Sequence, residues 1–558
     1  VTDPGRQGTD AASVADVPDA AERSTIGRAS AFLASGTLVS RLLGFVSAIV
    51  LATAISVNGG AGDTFALANQ LPNNIYSLIA GGLLSAVIVP QIVKANLHDD
   101  GGTAFINRII TIGLVVFFVV TVVATLCAPL LVRLYGGGFS GSELSLATAF
   151  AYWCLPQIFF YALYSLIGET LNARGVFGPF TWAPVLNNVV VIGSLALFIA
   201  LYGGASEHRE AGSWTAAQVA VVGGGATLGI AVQAFALFFF LRRAGLRYRP
   251  NFRWRGVGLA STGRAASWVF GMFLVTQVSG VVEANVASSA TGDASINAMK
   301  YGWLMFMLPH SIATVSIVTA YYTRMSSHVR DGRLSELRDD LSSALRSSLL
   351  IIVFSAVGLA VLAYPFSAIF GQKYSEVASL APVYLAYLTG LVPFTVFFVL
   401  LRVFYALDRT RAAFVIQVVQ TAFYVAGALL VGVLVPLESV AVALAAVLSA
   451  AVALQGLLSA LYLRRALGHL DTWRVLRRGL WFAAAALPAG AVGYGILTLL
   501  GGVSKGAFPV DGKPGAIVTM IVAGTAMALV YAALLWATRN PELRAFGEPL
   551  LRRLRRGR

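Results

Sequence analysis

Charge is what this sequence has least of. Only 12% of its 558 residues are Asp, Glu, Lys or Arg, against 57% hydrophobic, where a soluble domain carries about 25% charged residues. That excludes an ordinary soluble fold. With apolar runs recurring along the whole chain, it predicts an all-α polytopic membrane protein. Cysteine is nearly absent. Cys127 and Cys154 are the only two, both inside apolar runs, so buried thiols are expected rather than a disulfide. The five histidines show no H-x-x-H or H-x-x-x-H spacing, which argues against a metal site. No ATP motif, Ser–His–Asp set or paired-acid motif appears in the loops, so neither a cofactor nor an enzyme activity is expected. Residues 1–29 lack the apolar core of a signal peptide and read as a disordered cytoplasmic tail.

What is present is a long series of hydrophobic runs. Windows of about 20 apolar residues predict fourteen spans, near 30–56, 64–94, 104–132, 145–173, 180–202, 215–242, 264–289, 296–323, 341–369, 378–406, 411–434, 439–464, 477–500 and 515–538. Of the 40 Lys and Arg residues, only Arg133, Arg209, Lys373, Lys505 and Lys513 fall in one set of loops, and Arg41, Lys300 and Arg402 lie within spans. The rest occupy the other set and the tails, which places both termini in the cytoplasm. The net charge of +15 is thus explained by basic loops against an anionic leaflet, not by nucleic acid.

A repeat organises the spans. Pro72 and Pro309, Pro156 and Pro393, and Arg174 and Arg411 each stand 237 residues apart. Spans 1–6 therefore read as repeated in spans 7–12. Six is even, so the two lobes are parallel, related by a pseudo-twofold along the membrane normal, and cargo is expected between them near midplane. The expected divisions are a tail 1–29, an N-lobe 30–243, a basic linker 244–263, a C-lobe 264–465, two extra C-terminal spans within 466–538, and a basic cytoplasmic tail 539–558.

Several stretches carry a family resemblance: "SRLLGF" in span 1, "GDTFALANQLPN" running into "VPQIV" in span 2, and "LNARGVFGPFTWAPVLNN" across spans 4 and 5. With a 6 + 6 + 2 arrangement, the chain resembles the MurJ/MviN lipid II flippases of the multidrug/oligosaccharidyl-lipid/polysaccharide exporter superfamily. The resemblance implies a V-shaped bundle in the plasma membrane with a cationic central cavity. It also implies a hydrophobic groove along spans 13 and 14 for a polyprenyl tail. The activity implied is transfer of the undecaprenyl-diphosphate peptidoglycan precursor, lipid II, from the inner to the outer leaflet during cell-wall biogenesis. The cytoplasmic pseudokinase extension of some relatives is expected to be absent. The implied partners are lipid II or a related polyprenyl-diphosphate lipid, membrane lipids, and cell-wall synthesis or division proteins. Rival readings are a flippase for another polyprenyl-linked saccharide, a drug or cation exporter, and a non-transporting scaffold for cell-wall synthesis.

An arginine mid-helix costs about 2.5–3.5 kcal/mol on insertion scales, so Arg41 is expected to face a wet cavity or to pair two helices. It matches the family's first cavity arginine. The family's other arginines align with Ser47, Tyr76 and Leu304, which leaves Lys300 as a substitute cation or a snorkelling one. Asp63 reads as a gate or ion-pair residue or as a helix N-cap. Glu283, deep in span 7, reads as an ion-pair partner of Lys300 or Arg41, or as an ion-coupling group. Asn69, Gln70, Asn73 and Asn74 bracket Pro72; they can satisfy backbone groups freed by the proline or line the cavity. Asn172, Asn187 and Asn188 read as interhelical glue or cargo contacts. Glu169 and Arg174 are expected to pair at the cytoplasmic face, and Arg402 to snorkel.

Overall fold

The computed structural model describes residues 20–57, 59–79, 103–174, 176–252, 263–290 and 296–544. The predicted "VPQIV" stretch, much of the 244–263 linker and most of both tails lie outside the described residues. Among those described the chain is helical, with no strand. In order, the helices are α1 (Ala20–Ala54), α2 (Gly60–Ile79), α3 (Thr103–Leu126), α4 (Ala128–Tyr135), α5 (Gly141–Cys154), α6 (Gln157–Ala173), α7 (Gly178–Tyr202), α8 (Ala216–Arg243), α9 (Gly263–Ser288) and α10 (Ile296–Pro309). A single π turn (His310–Thr314) joins α10 to α11 (Val315–Arg330). Then come α12 (Leu334–Val361), α13 (Ala363–Ala368), α14 (Tyr374–Thr389), α15 (Leu391–Ala406), α16 (Thr410–Leu434), α17 (Val440–Leu467), α18 (Thr472–Leu499) and α19 (Lys513–Ala537).

Among the described residues twelve helices are long and apolar enough to cross a membrane, or thirteen if α14 and α15, bent by 42° at their junction, count as one span. The expected fourteenth, near 64–94, falls short in its described part. Asp63, Asn69, Gln70, Asn73 and Asn74 make α2 too polar, and its continuation lies outside the described residues.

Local signals set the boundaries. Ser140 and Glu143 form a capping box at the start of α5, with the Ser140 N–H donating to Glu143 Oε2 at 2.7 Å; Thr215 and Gln218 do the same for α8. Proline interrupts α10 at Pro309, where the backbone widens into the π turn. Helix pairs then pack by shape. α7 lies against α1 and α8. At Gly225 of α8 a Cβ would come within 1.9 Å of Ser194 Oγ, so only glycine allows this approach.

Helices α1–α8 pack mainly on one another, and so do α9–α17; α18 packs on α12 and α19, and α19 also on α13. The two sets meet where α2 touches α9 and α10, and where α4 touches α9. The helix ends alternate between a basic end, which carries loops such as 330–333 and 464–474, and an opposite end, which carries loops 55–59, 136–140 and 369–373.

Candidate functional site

A cavity of about 490 Å³ lies between the two sets of helices. Gly44, Ser47, Ala48 and Leu51 of α1, Phe65 and Asn69 of α2, and Asn187 and Asn188 of α7 form part of one wall. Lys300, Tyr301, Trp303, Leu304 and Met307 of α10 form the other. Both walls arise from helical spacing. Residues three and four apart share a face, so 44, 48 and 51 line up on α1, and 300, 303, 304 and 307 on α10.

Among the described residues lining the cavity, Lys300 is the one that carries a charge. Its Nζ lies 5.6 Å from the centroid of the Phe65 ring, a cation–π contact across the interface. No carboxylate lies within 4 Å of it among the described residues. Ser47 and Leu304, both expected to align with family arginines, line the cavity from opposite walls. Tyr76 does not. It stacks on Tyr161 at 5.4 Å and shares a short hydrogen bond with Ser165.

Arg41 continues the α1 cavity face one turn towards the basic end, beyond Gly44. It forms no salt bridge among the described residues, and its Nη1 is buried without a hydrogen-bond partner. Asn69 is fixed by Gln157, whose Nε2 donates to Asn69 Oδ1 at 3.1 Å, and Asn188 donates to the Ser40 carbonyl at 3.0 Å. The other amides lie elsewhere. Asn73 is exposed, the Asn74 carbonyl accepts from Gln277 at 2.5 Å, and Asn172 lies half-buried near the end of α6. The expected Glu169–Arg174 ion pair does not occur among the described residues.

Asp63 is 1% exposed. Its Oδ1 accepts the backbone N–H of Asn297, at the start of α10, at 2.8 Å. The Asn297 side chain donates in turn to the carbonyls of Ser56 and Val57 at 3.3 and 3.2 Å. Ser56 donates to Glu376 Oε1 at 2.7 Å, and Gln372 reaches the Thr53 carbonyl at 3.0 Å. Nearby, Gly137 N–H donates to Asn285 Oδ1 at 3.1 Å and Gly138 N–H to Ser288 Oγ at 3.0 Å. The opposite end of the cavity is therefore closed by hydrogen bonds running between the two sets of helices.

Glu283 differs from its expected pairing. Neither Lys300 nor Arg41 reaches it; the Tyr424 hydroxyl donates to its Oε2 at 2.7 Å. The reason is rotational: α9 turns Glu283 towards α16, within its own set, while Lys300 points across the interface to Phe65. Arg402 lies over the Phe398 and Tyr322 rings at 4.7 and 5.7 Å. Both thiols are free; Cys154 is buried and Cys127 half-buried. Sequence reasoning missed Ser56, Asn297 and Glu376. Glu376, a lone acid opening a span, was the available signal.

A second, apolar pocket of about 300 Å³ lies between α10 and its π turn, α12 and α19, lined by Leu308, Pro309, Ile312, Phe354, Gly358 and Met527 among others.

The family model for lipid II flippase MurJ matches residues 52–509. The protein named "Probable lipid II flippase MurJ" of Haemophilus influenzae is 26% identical over 485 residues, covering 82% of this chain and 89% of that protein. Its namesake from Vibrio cholerae is 26% identical over 489 residues, covering 83% and 86%. Among solved structures, that of lipid II flippase MurJ in an inward closed conformation superposes with a TM-score of 0.71 at 18% identity, covering 91% of this chain and 99% of that one. An inward-facing multidrug resistance MATE family transporter of the MOP superfamily superposes with a TM-score of 0.59 at 15% identity, covering 77% and 94%. At these identities the superpositions speak for the fold. With the family match over most of its length, the chain belongs to the lipid II flippase MurJ family.

Proposed function

We propose that this protein moves lipid II from the inner to the outer leaflet of the plasma membrane by alternating access, with both termini in the cytoplasm. The observation that carries the reading is Lys300: a cation with no carboxylate partner among the described residues, in a cavity between two sets of helices. The cargo head is a diphosphate, which a positive, wet cavity receives and a hydrocarbon core does not. Arg41 supports the same role from one turn away. Asn69, Asn187 and Asn188 offer amides to the saccharide and peptide. The polyprenyl tail runs beside α19, where the apolar pocket supplies a dry seat. A negative-inside potential favours outward movement of an anion by about 2.3 kcal/mol per charge per 100 mV, so membrane potential or a coupled ion drives the cycle. The Asp63–Asn297 and Ser56–Glu376 bonds serve as the outer gate in this reading, and they must break for release. Complementation of a flippase-depleted bacterium tests it. Wild type should restore growth and Arg41→Ala should not; equal rescue by both would favour a role that does not need this cation.

A further inference from the structure

Trp303 belongs to none of the roles above, yet its setting is specific. It lines the cavity from α10, three residues after Lys300, and is 37% exposed. Three aromatic neighbours hold the ring. Phe306 stacks on it at a centroid distance of 5.0 Å and an interplanar angle of 20°, which occupies one face of the indole. Tyr387 of α14 and Phe394 of α15 meet it edge-to-face at 5.9 and 6.0 Å. His310 of the π turn backs Phe394 in turn, at 4.6 Å. An indole held in this way has little freedom left to lose when a ligand lies against its uncovered part.

The opposite wall carries amides. Asn69 is engaged by Gln157 and Asn188 by the Ser40 carbonyl, but Asn187, in the same wall, is not satisfied. Its Oδ1 is buried with no hydrogen-bond partner among the described residues. Gly229 of α8 leaves room for that oxygen, since a Cβ there would lie 2.4 Å from it. A donor on a ligand in the cavity relieves the cost once the amide swings towards it. An aromatic surface facing neutral amides is the chemistry of sugar recognition. A pyranose presents a C–H face, weakly positive, to the negative face of an aromatic ring, and its hydroxyls donate to and accept from amides. An organic cation would also favour the indole, but the Lys300 charge one turn away repels it.

We propose that Trp303 is the stacking platform for the sugar ring joined directly to the cargo diphosphate, with Asn187 accepting a hydrogen bond from that sugar across the cavity. The proposal rests on the diphosphate-lipid reading above and names what the cavity recognises besides charge. The spacing suits the cargo. Three residues are about 4.5 Å along a helix, and in a polyprenyl-diphosphate sugar one bridging oxygen separates the outer phosphate from the first ring. Lys300 and Trp303 therefore stand in the order in which the cargo presents its charge and its carbohydrate. Trp303 is held by α14 and α15 and Asn187 stands on α7, so a sugar bound between them spans the two sets of helices.

The test uses the purified full-length chain in detergent, titrated by native mass spectrometry with lipid II and, as the sugar-free probe, undecaprenyl diphosphate. Wild type should bind lipid II the more tightly. Trp303→Leu should bind lipid II about tenfold more weakly, and undecaprenyl diphosphate within about twofold of wild type. Trp303→Tyr, which keeps an aromatic face, should recover most of the loss. Asn187→Ala should weaken lipid II about fivefold, again sparing the sugar-free lipid. Trp303→Met replaces Trp303→Leu in the comparison if the latter melts early. Trp303→Leu with wild-type affinity for lipid II, or with equal losses on the two lipids, overturns the platform and leaves the flippase reading standing. A wild type that binds the two lipids equally does the same. A wild type that binds neither overturns both.

Discussion

Asp63 and Glu542 are both buried carboxylates near opposite ends of the bundle, and they are satisfied in different ways. Asp63 accepts a backbone N–H from Asn297, across the interface between the two sets of helices. Glu542 is 5% exposed in its side chain and is gripped by Arg346 and, at 3.8 Å, by Arg478. Those arginines stand on α12 and α18, which pack on each other. The same contrast extends outward. Around Asp63 the polar contacts join α1, α2 and α4 to α9, α10 and α14. At the basic end, Arg324–Asp340, His328–Asp340 and Arg338–His469 all lie within residues 324–469. A hydrogen bond contributes about 0.5–1.5 kcal/mol, or about 1.5–3 where one partner is charged as at Asp63 and Glu376, whereas removing one partner of a buried ion pair costs about 3–5 kcal/mol. In the proposed alternating-access cycle, the separable contacts are the ones that open and the ion pairs lie within one set of helices.

Breaking the rigid side should have the largest effect on stability. Arg346→Ala leaves Glu542 with Arg478 alone, and we expect a loss of about 3 kcal/mol in detergent-monitored unfolding, with no change in cavity access. Breaking the separable side should change access more than stability. At Gly138 any Cβ would fall 2.4 Å from the Ser289 backbone nitrogen, so Gly138→Val must part α4 from α9. With Cys127 replaced by Ala, a Leu304→Cys reporter should then label faster from the opposite end. Asp63→Ala strands the Asn297 N–H and should cost about 1–3 kcal/mol, while Asp63→Asn, which keeps the acceptor oxygen, should cost less; thermal melts separate the two. Gly358→Leu extends side chain towards Met527 in the apolar pocket, and should weaken undecaprenyl binding severalfold without lowering the melting temperature. Arg333→Ala removes exposed pairs to Asp331 and Glu336 and should produce no measurable change.

The helices were legible in the sequence because a membrane span needs length and hydrocarbon, and both are written residue by residue. Lys300 and Asn69 were legible as candidates because polar groups inside apolar runs are expensive and stand out. Partners were not. Glu283 finds Tyr424 141 residues away, and nothing in either stretch names the other. The latch around Asn297 uses a backbone N–H and two carbonyls, groups every residue possesses, so composition cannot flag it. His310 is not legible from metal-ligand spacing, because no second histidine stands three or four residues away. The Leu-Pro-His string did hold a signal, since a proline in a span frees backbone groups and the residue after it sits at the resulting break.

The most direct measurement is lipid II transfer in proteoliposomes containing the purified chain. The wild-type protein should accelerate transfer between leaflets, Lys300→Arg should retain most of the rate, and Lys300→Gln should lower it about tenfold or more, the loss of one charged contact to phosphate. Transfer by Lys300→Gln at the wild-type rate would contradict the account, because the cation between the two sets of helices would then have no part in carrying the head group.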